Sequence, residues 1–218
     1  PYGPGDGDVG MTKNIERVKE VRESVGKDFP INIDCYMSLT VPYTIELARR
    51  IDREVPGGVK WIEEHLPPDD YDGYAEVKRK AGHWCLFTCG EHEYTRYGFR
   101  RLIEEKCCDV LQPDITWLGG ITEARRVCAL ASAYDLPIIP HGSSVYSFHL
   151  QYAFKNCPIA ECLIMSPKAD KIVPYIDIDL PETALLKNQM IMLDILANND
   201  WKRPIYFTGG SYDDAEYI

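Results

Sequence analysis

Ionisable residues recur along this chain at a nearly regular interval. Asp34, Glu63, Glu91, Asp114 and His141 each close a short apolar run, and Glu161 stands in or beside the next one. Successive separations are 29, 28, 23, 27 and 20 positions, close to one strand-plus-helix unit each time. Taken singly, each is an ordinary solvated residue at the start of a loop. Taken in phase, Asp34, Glu63 and Glu91 are three carboxylates converging on one place, where they repel one another unless a cation holds them. Hard oxygen donors with room left for substrate and water suit Mg2+. Asp114 on the preceding run can accept the Nδ1 proton of His141, fix its tautomer and raise its basicity. That is a dyad for proton abstraction; a purely structural Asp–His pair is the alternative. A divalent metal beside a tuned base meets the need of removing a proton α to a carboxylate, because negative charge moves onto the carboxylate oxygens as the proton leaves.

The elements that must position these residues alternate between helix and strand. Helical spacing over Thr12 to Val25 places Ile15, Val18, Val21 and Val25 on one face, with Thr12 as cap and Gly26 as stop. PINID then reads as a strand ending at Asp34, and Pro42 to Glu54 as a helix. VKWIEE is the next strand, around Glu63, followed by a helix from Asp72 to Ala81. WCLFTCGE ends at Glu91, a helix includes Phe99 to Glu105, and DVLQPD ends at Asp114. Thr122 to Tyr134 is a helix, PIIPH ends at His141, and a last unit pairs a helix near Phe148 to Phe154 with IAECLIM. Strands joined by helices predict a parallel sheet with right-handed crossovers. A doubly wound sheet and a (β/α)8 barrel both satisfy the pattern. Only the barrel brings every strand's C-terminal end to one mouth.

Composition narrows the function classes. The formal net charge is -10, and Lys and Arg form no cluster, which excludes a nucleic-acid partner. No apolar run approaches the roughly 18 residues of a membrane span, and PYGPGDGDVG has neither the basic start nor the apolar middle of a secretory signal. A cytoplasmic location is therefore expected. The cysteines at 35, 85, 89, 107, 108, 128, 157 and 162 lack zinc-finger spacing, so buried reduced thiols are the reading preferred over zinc or disulfides. His65, His83 and His149 read as structural, although His65 lies near enough to the mouth to touch substrate. Trp117 and Tyr146 either line the pocket or pack.

INIDCYMSL, VKWIEEHLPP, GEH, VLQPDITWLGGIT and PHGSSVYSFH, in this order and spacing, resemble the mandelate racemase branch of the enolase superfamily over roughly residues 1 to 170. The resemblance implies a TIM-type barrel with Mg2+ held by Asp34, Glu63 and Glu91. In VKWIEE the first glutamate matches the ligand, not Glu64. The resemblance makes His141 the general base with Asp114 as its partner, His92 a second active-site histidine touching substrate or the departing group, and Glu161 a contact for the substrate carboxylate region. Ser143 and Ser144, in the small-residue loop after His141, leave room beside the imidazole and offer donors to a substrate carboxylate. The implied reaction is dehydration of a sugar acid of the L-rhamnonate type to a 2-keto-3-deoxy acid. Another acid-sugar dehydratase or a racemase is the enzymatic alternative. The implied partners are the small sugar acid and, by analogy, further copies of the chain.

Two departures from the family pattern shape the expectation. PYGPGDGDVG matches the loop after the second barrel strand, so the chain is expected to lack the N-terminal capping domain and the first two strands. Open sheet edges follow, and weak or absent activity of this chain alone. The second departure is the tail. Residues 1 to 172 are read as the partial barrel and 173 to 218 as a separate tail, in which ETALLKNQMIMLDILANNDW forms a helix and KRPIYFTGGS a short strand. An inactive or chimeric chain is the non-enzymatic alternative.

Overall fold

The structure is a computed structural model that describes residues 2–142 and 145–161. Four short parallel strands, β1 (Asn32–Asp34), β2 (Trp61–Glu63), β3 (Leu86–Cys89) and β4 (Val110–Leu111), lie in the order β1-β2-β3-β4. Parallel neighbours consecutive in sequence need a crossover each time. The crossovers are α2 (Val41–Glu54), α3 (Tyr71–Ala81) and α4 (Thr95–Glu104), with α1 (Gly7–Val25) packed on α2. A sheet that advances in one direction without a switch point is a barrel arc and not a doubly wound sheet. This settles the choice that the sequence pattern left open.

Two apolar layers hold the arc. In register, Ile62 faces Phe87 across β2 and β3, and both side chains are fully buried against the helices together with Leu47, Ile51, Val77 and Phe99. Each such burial stabilises by about 1.5–3 kcal/mol. Because successive strand residues face opposite sides, Trp61, Val110 and Ile139 turn the other way and form a small second cluster inside the arc. Glu63, two residues from Trp61, shares that inner face, and the Trp61 indole Nε1 donates to its carboxylate at 3.1 Å.

Several boundaries differ from the sequence reading. α1 begins at Gly7, after a 3-10 turn over Pro4–Asp6, and Thr12 lies inside the helix instead of capping it. The Gly/Pro-rich segment is tied down by tertiary contacts: Met11 is buried, Asn14 donates to the Tyr2 carbonyl and to the Tyr43 hydroxyl, and the Tyr2 N–H donates to the Asn14 side chain. Gly26 does end the helix. The strand expected in PIIPH contracts to a single parallel bridge between Leu111 and Ile138. Of the strand expected around Glu161, only residues up to 161 are described, and the Glu161 N–H reaches the Pro140 carbonyl at 3.3 Å. A short helix not anticipated, α5 (Ile115–Leu118), follows β4; α6 (Ile121–Ser132) and α7 (Val145–Ala153) complete the described elements. The helix and strand expected in the 173–218 tail lie outside the described residues. Among the described residues no helix is long and apolar enough to cross a membrane, and every described cysteine is a free thiol.

Candidate active site

The acids collect at the C-terminal ends of the strands, which parallel pairing brings to one side of the sheet. Asp34 and Glu63 are paired in register across β1 and β2, with Asp34 exposed on the edge strand and Glu63 buried. Beyond β3 the chain turns at Gly90, whose φ of +124° and whose closeness to Phe99 disfavour a side chain. That turn presents Glu91 and His92 over the strand ends. Past β4, Asp114 caps α5: its Oδ1 accepts from the Thr116 N–H at 2.7 Å, the Thr116 hydroxyl at 2.6 Å and the Trp117 N–H at 3.1 Å. The same carboxylate's Oδ2 meets His141 Nδ1 at 3.0 Å. One residue thus anchors a helix and orients an imidazole.

His141 is the hub. Its Nε2 lies 3.1 Å from Glu91 Oε2 and 3.9 Å from Glu161 Oε2. Burial disfavours the imidazolium, but the Asp114 hydrogen bond and the charges of Glu161 and Glu91 outweigh it, and the His141 pKa rises to about 9. Glu161 accepts from the Gln112 side chain at 2.8 Å and from the Gly142 N–H at 3.0 Å. The acids pay for their crowding. Burial, then Glu63, pushes the Glu161 carboxyl up to about 8, and burial with Glu64 pushes Glu91 up to about 7. Glu63 is raised by burial as well; hydrogen bonds from Gln112 and Trp61 oppose the shift while Asp34 and Glu91 add to it.

The structure therefore brings Asp114, His141, Glu91 and Glu161 into direct contact, with Glu63 and Asp34 within electrostatic reach. His92 also reaches the cluster, through Glu64: its Nδ1 is 2.7 Å from Glu64 Oε2 and 3.4 Å from Glu91 Oε1. Among the described residues, Glu64, Glu91 and His92 have ligand atoms all within 4.8 Å of one another. Asp34 and Glu63 lie outside that group. Ser143 and Ser144 fall outside the described residues. Sequence reasoning passed over Glu64 and Gln112; both stand inside the quoted motifs, as the second glutamate of VKWIEE and the first residue of QPD. His65 does not touch the mouth: it is wholly buried between Tyr74 and Phe87. Trp117, by contrast, is exposed at the mouth, with its Nε1 on the His92 carbonyl at 3.1 Å.

The enolase C-terminal domain-like family matches residues 3–189. The crystal structure of L-rhamnonate dehydratase from Gibberella zeae is 50% identical, with a TM-score of 0.76, over 80% of this chain and 44% of that one. A structure of rhamnonate dehydratase from the same organism complexed with Mg gives a TM-score of 0.74 at 50% identity, over 80% of this chain and 42% of that one. A racemase from Streptomyces coelicolor A3(2) with bound magnesium is 29% identical, with a TM-score of 0.65, over 73% of this chain and 43% of that one. The chain spans less than half the length of these relatives.

Proposed function

The chain belongs to the enolase C-terminal domain-like family, and from that premise we infer that its site serves the Mg2+-dependent dehydration of a sugar acid, with L-rhamnonate as the favoured substrate. The observation that carries the reading is His141, held by Asp114 at Nδ1 and set with Nε2 against Glu91 in a cluster of buried acids. The donor set fits a hard dication: the carboxyls of Glu63, Glu64, Glu91 and Glu161 are all raised, which marks more negative charge than the site can solvate. Asp34, Glu63 and Glu91 would hold the ion. When bound, Mg2+ stabilises charge developing on the substrate carboxylate and offsets the field that otherwise keeps His141 protonated.

The chain's own residues supply the proton chemistry. A carboxylate accepting from Nδ1 fixes the proton there, so Nε2 is the atom that takes the C2 proton. Asp114 stabilises the imidazolium as it forms. The proton acquired by His141 then passes to the departing 3-hydroxyl, which leaves as water; tautomerisation gives the 2-keto-3-deoxy acid. Glu161 orients the substrate carboxylate region, and His92 contacts the departing group. Identity of 50% to a dehydratase against 29% to a racemase favours elimination over racemisation.

The test is a panel of sugar acids, L-rhamnonate among them, incubated with the chain and Mg2+ and followed for 2-keto-3-deoxy product. Slow conversion of L-rhamnonate is expected, because the chain spans less than half the length of the dehydratase it matches. Conversion of a different acid alone would transfer the substrate assignment, and no conversion of any acid by metal-loaded protein would remove the activity.

A further inference from the structure

Glu64 follows the β2 residue Glu63, yet it does not continue the strand. Its φ of +35° is in the left-handed region, which a residue with a side chain adopts only where its surroundings hold it. The kink is pinned on both sides: the Glu64 N–H donates to the Thr88 carbonyl at 3.0 Å, and its own carbonyl accepts from the Met37 N–H at 2.6 Å. The side chain is buried, with a residue exposure of 1%, and its carboxylate reaches both Glu91 and His92. Glu64 Oε2 meets His92 Nδ1 at 2.7 Å, and Oε1 accepts from the His92 backbone N–H at 3.4 Å. The His92 ring is bracketed by the edges of Tyr36, at 5.7 Å and 71°, and Trp117, at 5.5 Å and 79°. Trp117 also donates to the His92 carbonyl.

We propose that Glu64 is a positioning residue that clamps His92 with its proton on Nδ1, leaving Nε2 as the atom presented to substrate. The site then holds two carboxylate–imidazole pairs, Asp114 with His141 and Glu64 with His92. In the clamp the Glu64 carboxylate accepts from Nδ1, and a nitrogen that carries a proton has no lone pair for a cation. This separates the clamp from its rival, in which Glu64, Glu91 and His92 jointly ligate a metal through the donor atoms that lie within 4.8 Å of one another. A joint ligand set needs Nδ1 stripped of its proton. The clamp needs the proton retained. The role of His92 toward the departing group rests on the proposed dehydration; the clamp itself is readable without turnover.

The experiment records long-range 1H–15N spectra of the 15N-labelled chain, with His92 assigned by its loss in His92→Gln. The expected wild-type pattern has Nδ1 protonated, and this pattern is lost in Glu64→Leu. An unprotonated Nδ1 in the wild type, or an unchanged pattern in Glu64→Leu, overturns the clamp. Glu64→Gln, close to isosteric, covers the case in which Glu64→Leu does not fold. Its Mg2+ affinity by calorimetry should stay within about a hundredfold of the wild type, while kcat for the sugar acid falls about 10–100-fold with KM unchanged. A Mg2+ affinity loss beyond about a hundredfold would make Glu64 a ligand and overturn the assignment. Protonated Nδ1 with no turnover on any sugar acid would sink the dehydration and leave the clamp standing. Turnover with an unprotonated Nδ1 would do the reverse.

Discussion

Replacing Asp114 with Asn separates the two tasks of one carboxylate. Oδ1 accepts three donors from Thr116 and Trp117, while Oδ2 meets His141. Asn keeps an oxygen for the helix cap, where it is as good as Asp, so the cap's own contribution should change by less than about 1 kcal/mol. On the other side an amide N–H2 now faces Nδ1. The imidazole must then turn its lone pair to the amide and carry its proton on Nε2, where it cannot act as a base. Losing a positioned base costs about 10²–10⁴ in kcat. His141 should also titrate about one to two pH units lower, the worth of one charge-assisted hydrogen bond. The sign of the pH effect on stability follows. The His141 pKa is raised from its ordinary 6.5 to about 9, so its contribution is complete below 6.5 and is lost as pH rises through 9. In Asp114→Asn that alkaline loss should shrink. Steady-state kinetics, histidine NMR titration and urea melts from pH 6 to 9.5 check the three parts. Asp114→Ala, which removes the cap as well, should lose about 1 kcal/mol more. A kcat in Asp114→Asn within about tenfold of wild type, with His141 titrating unchanged, would refute the dyad.

Three other outcomes follow from the same structure. His65 is wholly buried, neither ring nitrogen has a hydrogen-bond partner among the described residues, and burial lowers its pKa to about 3. The unfolded chain therefore takes up a proton below pH 6.5 that the folded chain refuses, and the contribution of His65 to stability falls by about 2 kcal/mol between pH 8 and pH 5; His65→Leu should remove that contribution from the pH dependence of urea melts. Gly90→Ala forces a side chain into a φ of +124° and onto Phe99, so it should cost about 1–3 kcal/mol and weaken Mg2+ binding by displacing Glu91, both measurable by thermal melts with and without the ion. Saturating Mg2+ should raise Tm of the wild-type chain through linkage, by about 2.7 kcal/mol of stabilisation at a hundredfold excess over Kd; Glu91→Gln should abolish most of that rise.

The fold was readable where periodicity and punctuation agree. Gly26 ends α1 as read, and Asp34 and Glu63 share a register because each closes its strand. The N-terminal segment misled because proline and glycine argue for a loop, whereas buried Met11 and the Tyr2–Asn14–Tyr43 hydrogen bonds impose a helix from Gly7. Tertiary contact overrode propensity there. At the site, the spacing of strand-end residues was enough to place His141 against Asp114. It was not enough for Glu64, since strand alternation turns it away from Glu63 and only the backbone reversal at φ +35° returns it to His92. Gln112 was invisible for a related reason: its partner Glu161 stands 49 positions away.

The central claim is that His141 removes the proton at C2. The direct measurement is conversion of L-rhamnonate in D2O with Mg2+, followed by 1H NMR for the wild type and His141→Asn. The account predicts that the wild-type chain releases the C2 proton to solvent and forms product with deuterium at C3, while His141→Asn does neither. Product formed by His141→Asn at an undiminished rate, or wild-type product that retains the substrate's C2 hydrogen at C3, would contradict it.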